Sequence, residues 1–224
     1  MSKKFRISPE KWIKSYQEKE LPHWAKSQKP SKLASSFVKI LKKRGITKGK
    51  IIEIGCGNGR DSFFIAQKGF DVVGIDISPE AIRFCEKNKT VFLKKKIIKK
   101  SRVKFLVADA EKLPFKKGSF VGGYSAGVLH GTDLKKTLKE LARVTKTEGL
   151  LMIHLFEKTI LLPSQKVKRN YPAEKVKNIL TRLPFRVLKF KSNITKKKPD
   201  FDKKAGLHKH FSIIVILERI PVPC

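Results

Sequence analysis

The chain has 224 residues, of which 40% are hydrophobic, and it carries a formal net charge of +33 at pH 7. This length suits one domain with a substantial hydrophobic core. The apolar runs are far shorter than the ~20 residues of a membrane helix, and no apolar stretch of signal-peptide type follows the basic start. We therefore expect a cytoplasmic protein without a membrane span, and the sequence leaves open whether it is a monomer or a homodimer.

The three cysteines are Cys56, Cys85 and Cys224, an odd number without paired spacing. This pattern predicts neither a disulfide framework nor a zinc site, and it favours a reducing compartment.

The first 30 residues are rich in aromatic side chains. A helix is predicted for residues 8–20, with one side formed by Trp12, Ile13 and Tyr16. A loop bounded by proline follows and contains Trp24, and a second helix is predicted from Pro30 to Gly45. We interpret residues 1–30 as an N-terminal aromatic arm or cap and residues 31–224 as a single domain.

A glycine-rich turn follows the first predicted strand, which spans residues 51–54. Glycines stand at alternate positions, Gly55, Gly57 and Gly59, and a helical segment comes next. Such a turn brings backbone N–H groups and a helix N-terminus up to a ligand, and the missing side chains let a flat ligand lie against the main chain. A dinucleotide fingerprint would need its third glycine where Arg60 stands. A tight turn without a ligand remains an alternative for this pattern alone.

Two further strands end in a carboxylate. Asp76 closes the second strand, about 20 residues beyond the first glycine, where an acid can accept both hydroxyls of a ribose. Asp109 follows the third strand, predicted for residues 103–108, and suits the amino group of an adenine. These signals at three successive strand ends favour an adenosine-containing ligand.

Together these segments resemble the class I S-adenosylmethionine-dependent methyltransferases. EIGCGNG at residues 53–59 looks like the first motif of the family, GIDIS at 74–78 like the second and VADA at 107–110 like the third. YSAGVLH at 124–130 is similar to the segment after the fourth strand, and residues 141–151 to the helix and turn before the fifth. The resemblance covers roughly residues 31–217 and is specific for the cofactor rather than for the methyl acceptor.

The resemblance implies the fold and the cofactor contacts. We expect an α/β, Rossmann-like sheet of seven strands, mostly parallel with the last strand antiparallel, and helices on both faces. The cofactor is S-adenosyl-L-methionine, and the implied contacts are Glu53, Gly55, Cys56, Gly57, Gly59, Arg60, Asp76, Ile77, Asp109, Ala110, Ser125 and Gly127.

The second half of the chain is predicted to hold the remaining strands, at residues 120–124, 149–156, 185–190 and 210–217. A long connection at residues 160–172 is a candidate lid, and the loop at 191–209 is expected at the active-site face. His208 and His210 lie at the end of that loop, but no third candidate ligand stands at a sequence spacing typical of a metal site, so we predict no metal site.

Catalytic residues are not fixed by the pattern. Tyr124 ends the fourth strand and His130 follows it, and both are catalytic candidates, with His130 the candidate base. Trp24 and His130 are candidates for the acceptor pocket. An equally simple interpretation is that His130 bonds the backbone of its own domain and that Trp24 only packs. Because the leaving group of a sulfonium methyl transfer is neutral, positioning is the main requirement.

The methyl acceptor is the open question. The Asn/Asp-Pro-Pro-Tyr/Phe motif of several amino-methylating families is absent after the fourth strand, where residues 124–127 read YSAG. The two tryptophans make the arm similar to that of the thiopurine and tellurite-resistance branch, so a small-molecule acceptor leads. The positive charge keeps RNA or protein methylation as an alternative, although most of the basic residues are lysine, which compositional bias also produces. A non-catalytic cofactor-binding protein and a dinucleotide oxidoreductase complete the alternatives.

Overall fold

The computed structural model describes residues 9–17, 27–96, 102–161, 167–169, 171–197 and 208–221. Six α-helices lie within these ranges and are numbered in chain order: α1 Pro9–Gln17, α2 Lys32–Lys43, α3 Arg60–Gln67, α4 Pro79–Lys94, α5 Leu134–Val144 and α6 Ala173–Leu180. A short 3-10 helix spans Leu129–Gly131. The strands are β1 Lys50–Ile54, β2 Asp71–Asp76, β3 Val103–Val107, β4 Phe120–Ala126, β5 Thr145–Leu161, β6 Val167–Arg169, β7 Phe185–Lys197 and β8 His208–Arg219.

One sheet organises the molecule, in the order β3-β2-β1-β4-β5-β8-β7, and the short β6 pairs with β5 outside this path. Strands β1 to β5 run parallel to one another. Strand β8 is antiparallel to both β5 and β7. The predicted fold class is therefore confirmed, including the antiparallel last strand.

Side chains alternate between the two faces of the sheet and so build two cores. Ile51 packs with Phe37 and Phe63 on the face covered by α2, α3 and α4. Ile52 packs with Leu138 and Leu141 on the face covered by α5 and α6. This explains why β1 reads as a nearly continuous apolar run, since a parallel strand covered on both faces buries every side chain.

Polar side chains begin three of the helices. The hydroxyl of Ser78 accepts the N–H of Ala81 at 3.2 Å, with Pro79 in the first helical position, which confirms the predicted helix start. Ser31 caps α2 and Asp133 caps α5 in the same way. Among the described helices, none combines the length and the apolar character needed to cross a bilayer.

The strands of the second half are longer than predicted. Strand β5 continues to Leu161, and β6 pairs with it through Thr159 and Lys168, so part of the predicted lid at residues 160–172 is β-structure. Strands β7 and β8 also extend toward each other, pairing as far as Lys197 and His208. The reason is that antiparallel neighbours satisfy one another's backbone hydrogen bonds wherever they run side by side, whatever their side chains. Residues 162–166 and 198–207 lie outside the described part of the chain.

Candidate active site

Four strand ends meet at one edge of the sheet. The register aligns Ile54 of β1 with Ile75 of β2 and with Ser125 of β4. It also aligns Asp76 of β2 with Val107 of β3. The glycine turn and the segments that begin at Asp76, Asp109 and Ser125 therefore leave the sheet side by side. This is the edge at which open parallel sheets bind their ligands.

The glycine turn is held in a backbone shape that other residues would strain. Gly55, Gly57 and Gly59 have φ values of 70°, 57° and 80°. A Cβ built on Gly55 would lie 2.3 Å from Val128, and one built on Gly57 would lie 3.0 Å from the hydroxyl oxygen of Tyr16. The turn is also fixed to β2, because the N–H groups of Gly55 and Cys56 both donate to the carbonyl of Ile75.

Asp76 ties this turn to the end of β2. One carboxylate oxygen accepts the N–H of Gly57 at 3.0 Å, and the other accepts the N–H of Ser78 at 3.0 Å. Burial raises the pKa of Asp76, and the two backbone donors act against that shift. Since each carboxylate oxygen has a second lone pair, the group can still accept bonds from a ligand. Ile77, the next residue, is half-exposed.

Glu53 supports the turn from behind. Its side chain is only 4% exposed and accepts a hydrogen bond from the hydroxyl of Ser62 in α3. Burial and then the nearby charge of Asp61 raise the pKa of Glu53 well above its ordinary range. The alternation along β1 turns the carboxylate towards α3, and the contact of Glu53 with the cofactor stays a prediction.

Asp61, which the sequence analysis did not single out, is the centre of a buried network. Its carboxylate accepts the N–H and the hydroxyl of Ser31, both at 2.7 Å, and the hydroxyl of Tyr124 at 2.9 Å. The ring of Tyr124 stacks on Phe37 and is 1% exposed. Burial and the charge of Asp61 raise the pKa of Tyr124 well above its ordinary value. Tyr124 therefore joins α2, α3 and β4 through these hydrogen bonds. Its candidate catalytic role stays a prediction.

The N-terminal arm reaches the glycine turn at two points. Asn58 donates through Nδ2 to the carbonyl of Ser27 at 2.8 Å and accepts from Asn88 of α4 at 3.0 Å. Tyr16 of α1 is buried and packs near Phe84 of α4, with 6.2 Å between ring centroids. The described part of the arm thus packs on the same edge of the sheet. Trp24, the predicted pocket residue, lies outside the described residues.

Aromatic rings gather beyond β4. The ring centroid of Phe156 lies 4.9 Å from that of His130 and 5.2 Å from that of His154. A Cβ on Gly127 would lie 3.6 Å from the Phe156 ring, and the Gly127 N–H donates to the carbonyl of His154 at 2.8 Å. His130 is buried, whereas His154 and Phe156 are half-exposed. His130 was predicted from the sequence, whereas His154 and Phe156 were not, because they look like ordinary strand positions.

The remaining predicted contacts differ in their surroundings. Ser125 is buried and its hydroxyl donates to the carbonyl of Ile54 at 3.2 Å, so this side chain joins β4 to β1. Asp109 is exposed and accepts the N–H of Glu111 at 2.8 Å, and Ala110 is buried. Arg60 is half-exposed at the start of α3, and Cys56 is buried with its thiol 3.8 Å from that of Cys85.

A metal centre has little support among the described side chains. No group of three or more His, Cys, Asp or Glu residues comes together there. The backbones of His208 and His210 belong to β8, but their side chains lie outside the described part of the chain.

Comparison with known proteins assigns the family. A family model described as a methyltransferase domain matches residues 47–203, well over half of the chain. The protein YqeM of Bacillus subtilis, which is named a methyltransferase, is 31% identical over 114 residues that cover 47% of this chain and 41% of YqeM. The demethylmenaquinone methyltransferase of Renibacterium salmoninarum is 28% identical over 123 residues, which cover 54% of this chain and 47% of that enzyme. The chain therefore spans about half the length of these curated relatives.

Solved structures share the fold. A protein of Methanosarcina mazei described as a S-adenosylmethionine-dependent methyltransferase superimposes with a TM-score of 0.64 at 21% identity, over 82% of this chain and 98% of that one. The 1,6-didemethyltoxoflavin-N1-methyltransferase of Burkholderia thailandensis, solved with its substrate and S-adenosylhomocysteine, has a TM-score of 0.63 at 17% identity over 95% and 87% of the two chains.

The cofactor of this family also fits the site. The three glycines leave the main chain of the turn bare, and the Asp76 carboxylate keeps lone pairs beside it. The chain therefore belongs to the methyltransferase domain family, with the Rossmann-like fold and the cofactor, S-adenosylmethionine, of the class I methyltransferases.

Proposed function

We propose that this protein transfers a methyl group from S-adenosylmethionine to a small-molecule acceptor. The observation that carries the proposal is the group of rings around Gly127. His154 and Phe156 are half-exposed there, next to buried His130, and we assign them as one wall of the proposed acceptor pocket beside β4. The close packing of Val128 on Gly55 joins this pocket to the glycine turn. An aromatic wall next to the cofactor turn suits an apolar or flat acceptor of low molecular weight.

The cofactor would lie along the edge of the sheet. The bare backbone at Gly57 and Gly59 would accommodate it, and the Asp76 carboxylate would accept bonds from its ribose hydroxyls. Ile77 and the Asp109-Ala110 turn would flank its adenine. When bound, S-adenosylmethionine supplies an electrophilic methyl group on a sulfonium, whose departure leaves a neutral thioether.

The residues of the chain mainly position the acceptor and exclude water. In-line transfer needs the acceptor atom held close to the methyl carbon, and such positioning can contribute ~7–11 kcal/mol. An acceptor that carries a proton also needs a base. His154 is better placed for that role than His130, because its side chain is more exposed to an incoming acceptor. An anionic acceptor such as a thiolate needs no base.

Two further observations support a small acceptor. The arm packs at the glycine turn, with the Tyr16 hydroxyl near Gly57, so the arm covers part of the turn that a macromolecule would have to approach. The names of two relatives describe small acceptors, a demethylmenaquinone and a didemethyltoxoflavin. The similarity of the arm to the thiopurine and tellurite-resistance branch extends the proposal to soft nucleophiles such as thiols and metalloid anions.

The experiment is a screen with radiolabelled S-adenosylmethionine. The acceptors are thiols, amines, quinols and metalloid oxyanions, with bulk RNA in a parallel reaction. We expect label in at least one small molecule and no stoichiometric label in RNA. Label in RNA alone would refute the proposal, and the absence of transfer to any acceptor, with cofactor binding intact, would favour a non-catalytic binding protein.

The aromatic wall is tested with the best acceptor from that screen. Phe156→Ala should raise the KM for the acceptor roughly tenfold, the effect of losing about 1.4 kcal/mol of contact energy, and leave cofactor affinity unchanged. Phe190→Ala is the matched control, because Phe190 is a half-exposed phenylalanine of the same sheet that packs against Lys177 of α6. Equal effects of the two substitutions would argue against a pocket at Phe156.

A further inference from the structure

Two thiols lie together beneath the glycine turn. Cys56 belongs to the turn itself, between Gly55 and Gly57, and Cys85 belongs to α4. Their sulfur atoms are 3.8 Å apart, and the residues are 5% and 0% exposed. Both cysteines are free, and neither thiol has a part in the mechanism proposed above.

The pair is built into the backbone of the turn. The Cys85 thiol donates to the carbonyl of Gly57 at 3.1 Å, while the N–H of Gly57 donates to Asp76. A Cβ built on Gly59 would lie 3.2 Å from the Cys85 sulfur, and one built on Gly74 would lie 2.9 Å from the Cys56 Cβ. The absence of side chains at Gly59 and Gly74 thus leaves just enough room for the two thiols. Because the thiols contact the turn directly, a movement of the sulfur atoms displaces its backbone.

We propose that Cys56 and Cys85 form an oxidisable thiol pair whose conversion to a disulfide by hydrogen peroxide weakens cofactor binding. One sulfur, as its thiolate, takes an oxygen atom from the peroxide and becomes a sulfenic acid, and the hydroxide that leaves takes up the proton lost by the thiol and becomes water. The second sulfur then forms the S–S bond and expels the sulfenic oxygen as a second water. Two thiols are oxidised, and one peroxide is reduced to two waters.

The disulfide changes the geometry of the turn. An S–S bond is about 2.0 Å long, so the two sulfur atoms must approach each other by well over 1 Å. The Cys85 proton is lost, and with it the hydrogen bond to the Gly57 carbonyl. Because Gly57 also donates to Asp76, the displacement reaches the residue proposed to hold the ribose.

The surroundings of the pair set its pH dependence. Burial raises the pKa of both thiols, and the carboxylates of Glu53 and Asp76 act in the same direction on each. Glu86 adds to the shift of Cys85. The thiolate is the reactive form, so the dithiol persists at neutral pH and oxidation accelerates as the pH rises. The pair therefore responds to sustained rather than to brief exposure to peroxide.

The test uses the full chain carrying Cys224→Ser, so that only the two buried thiols remain. It is treated with hydrogen peroxide at pH 7 and at pH 9. Peptide mapping without reductant measures the cross-link between Cys56 and Cys85, and calorimetry measures the affinity for S-adenosylhomocysteine before and after treatment. We expect the cross-link to form faster at pH 9, affinity to fall by about tenfold or more, and a thiol reductant to restore it.

The matched control adds Cys85→Ser, which keeps a donor for the Gly57 carbonyl but cannot form the bond. The ratio of its affinities before and after peroxide should stay near one. Thermal melting of the oxidised protein checks that the fold is retained. Absence of the cross-linked peptide, or a cross-link with unchanged affinity, overturns the proposal. This inference rests on the proposed cofactor site. If the reduced protein fails to bind S-adenosylhomocysteine, the cofactor site is refuted instead. The two failures are distinguishable, because the cross-link is measured by mass and does not depend on ligand binding.

Discussion

The Asp76→Ala substitution separates ligand binding from stability most clearly. The carboxylate is proposed to accept two ribose hydroxyls, and a hydrogen bond to a charged group contributes about 1.5–3 kcal/mol. Loss of both bonds therefore costs at least about 3 kcal/mol, which corresponds to a roughly 100-fold rise in the Kd for S-adenosylhomocysteine. Isothermal titration calorimetry measures this change directly.

The stability of the same variant should change little. The substitution removes the acceptor of the Gly57 and Ser78 N–H groups, which destabilises the fold. However, burial raises the pKa of Asp76, so the substitution also removes a charge that is unfavourably buried. We expect a thermal midpoint within a few degrees of that of the unsubstituted protein at pH 7.

Asp109→Ala is the matched control for this prediction. Asp109 is also an acid at a strand end, but it is exposed and would meet a single neutral amino group. Its loss should weaken binding by less than about tenfold. The reasoning fails if Asp76→Ala binds S-adenosylhomocysteine as tightly as the unsubstituted protein, or if the two variants lose affinity equally.

Three other substitutions test the supporting structure. Gly57→Ala should lower the free energy of unfolding by more than Gly45→Ala, because both residues have positive φ but only the Gly57 Cβ would crowd a neighbour, the Tyr16 hydroxyl. Chemical denaturation measures both losses, and equal values would contradict that crowding. Tyr124→Phe removes the hydrogen bond to Asp61, so it should lower the free energy of unfolding by about 1–3 kcal/mol and leave the kcat of methyl transfer intact. A stable but inactive variant would instead identify Tyr124 as a catalytic residue. The folded-state pKa of Glu53 is raised above its ordinary 4.5, so the folded protein binds more protons than the unfolded chain between the two values, and stability falls as the pH rises through that window. Glu53→Gln should therefore stabilise the protein in thermal melts above the window and lose this advantage at acidic pH, and a pH-independent difference would contradict the assignment.

Local sequence patterns predicted the parts of the site that local physics determines. The glycine turn, the acid at the end of β2 and the Ser78-Pro79 helix start depend on residues within a few positions of each other. The backbone alone requires glycine at a positive φ or serine at a helix cap, so the residue type reveals the conformation. The mostly parallel sheet with an antiparallel last strand was predicted from the family resemblance.

Long-range partners could not be predicted in this way. Asp61 looks like an ordinary acid in the first turn of a helix, but its partners are 30 and 63 positions away in sequence. Only the packing of α2 and β4 on α3 brings Ser31 and Tyr124 to it. The direction of the Glu53 side chain could not be predicted for a similar reason, because it depends on which face of the sheet α3 covers.

The lengths of the strands in the second half of the chain were also predicted incorrectly. The ends of β7 and β8 are rich in lysine and histidine, and such segments look like solvated loops. Their pairing is set by the backbone of the neighbouring strand rather than by side-chain periodicity. The role of Trp24 and the boundary between arm and domain stay predictions.

The position of β8 has a consequence for the way the protein folds. This strand is the last of the sheet in sequence, but it lies between β5 and β7 and pairs with both of them. During synthesis β7 emerges before β8, so β7 has no strand to pair with until residues 208–219 have left the ribosome. Until then the edge of β5 that β8 will cover exposes unpaired backbone groups, which are open to pairing with another chain. Chaperone binding to the nascent chain should accordingly peak after β7 has emerged and end when β8 inserts.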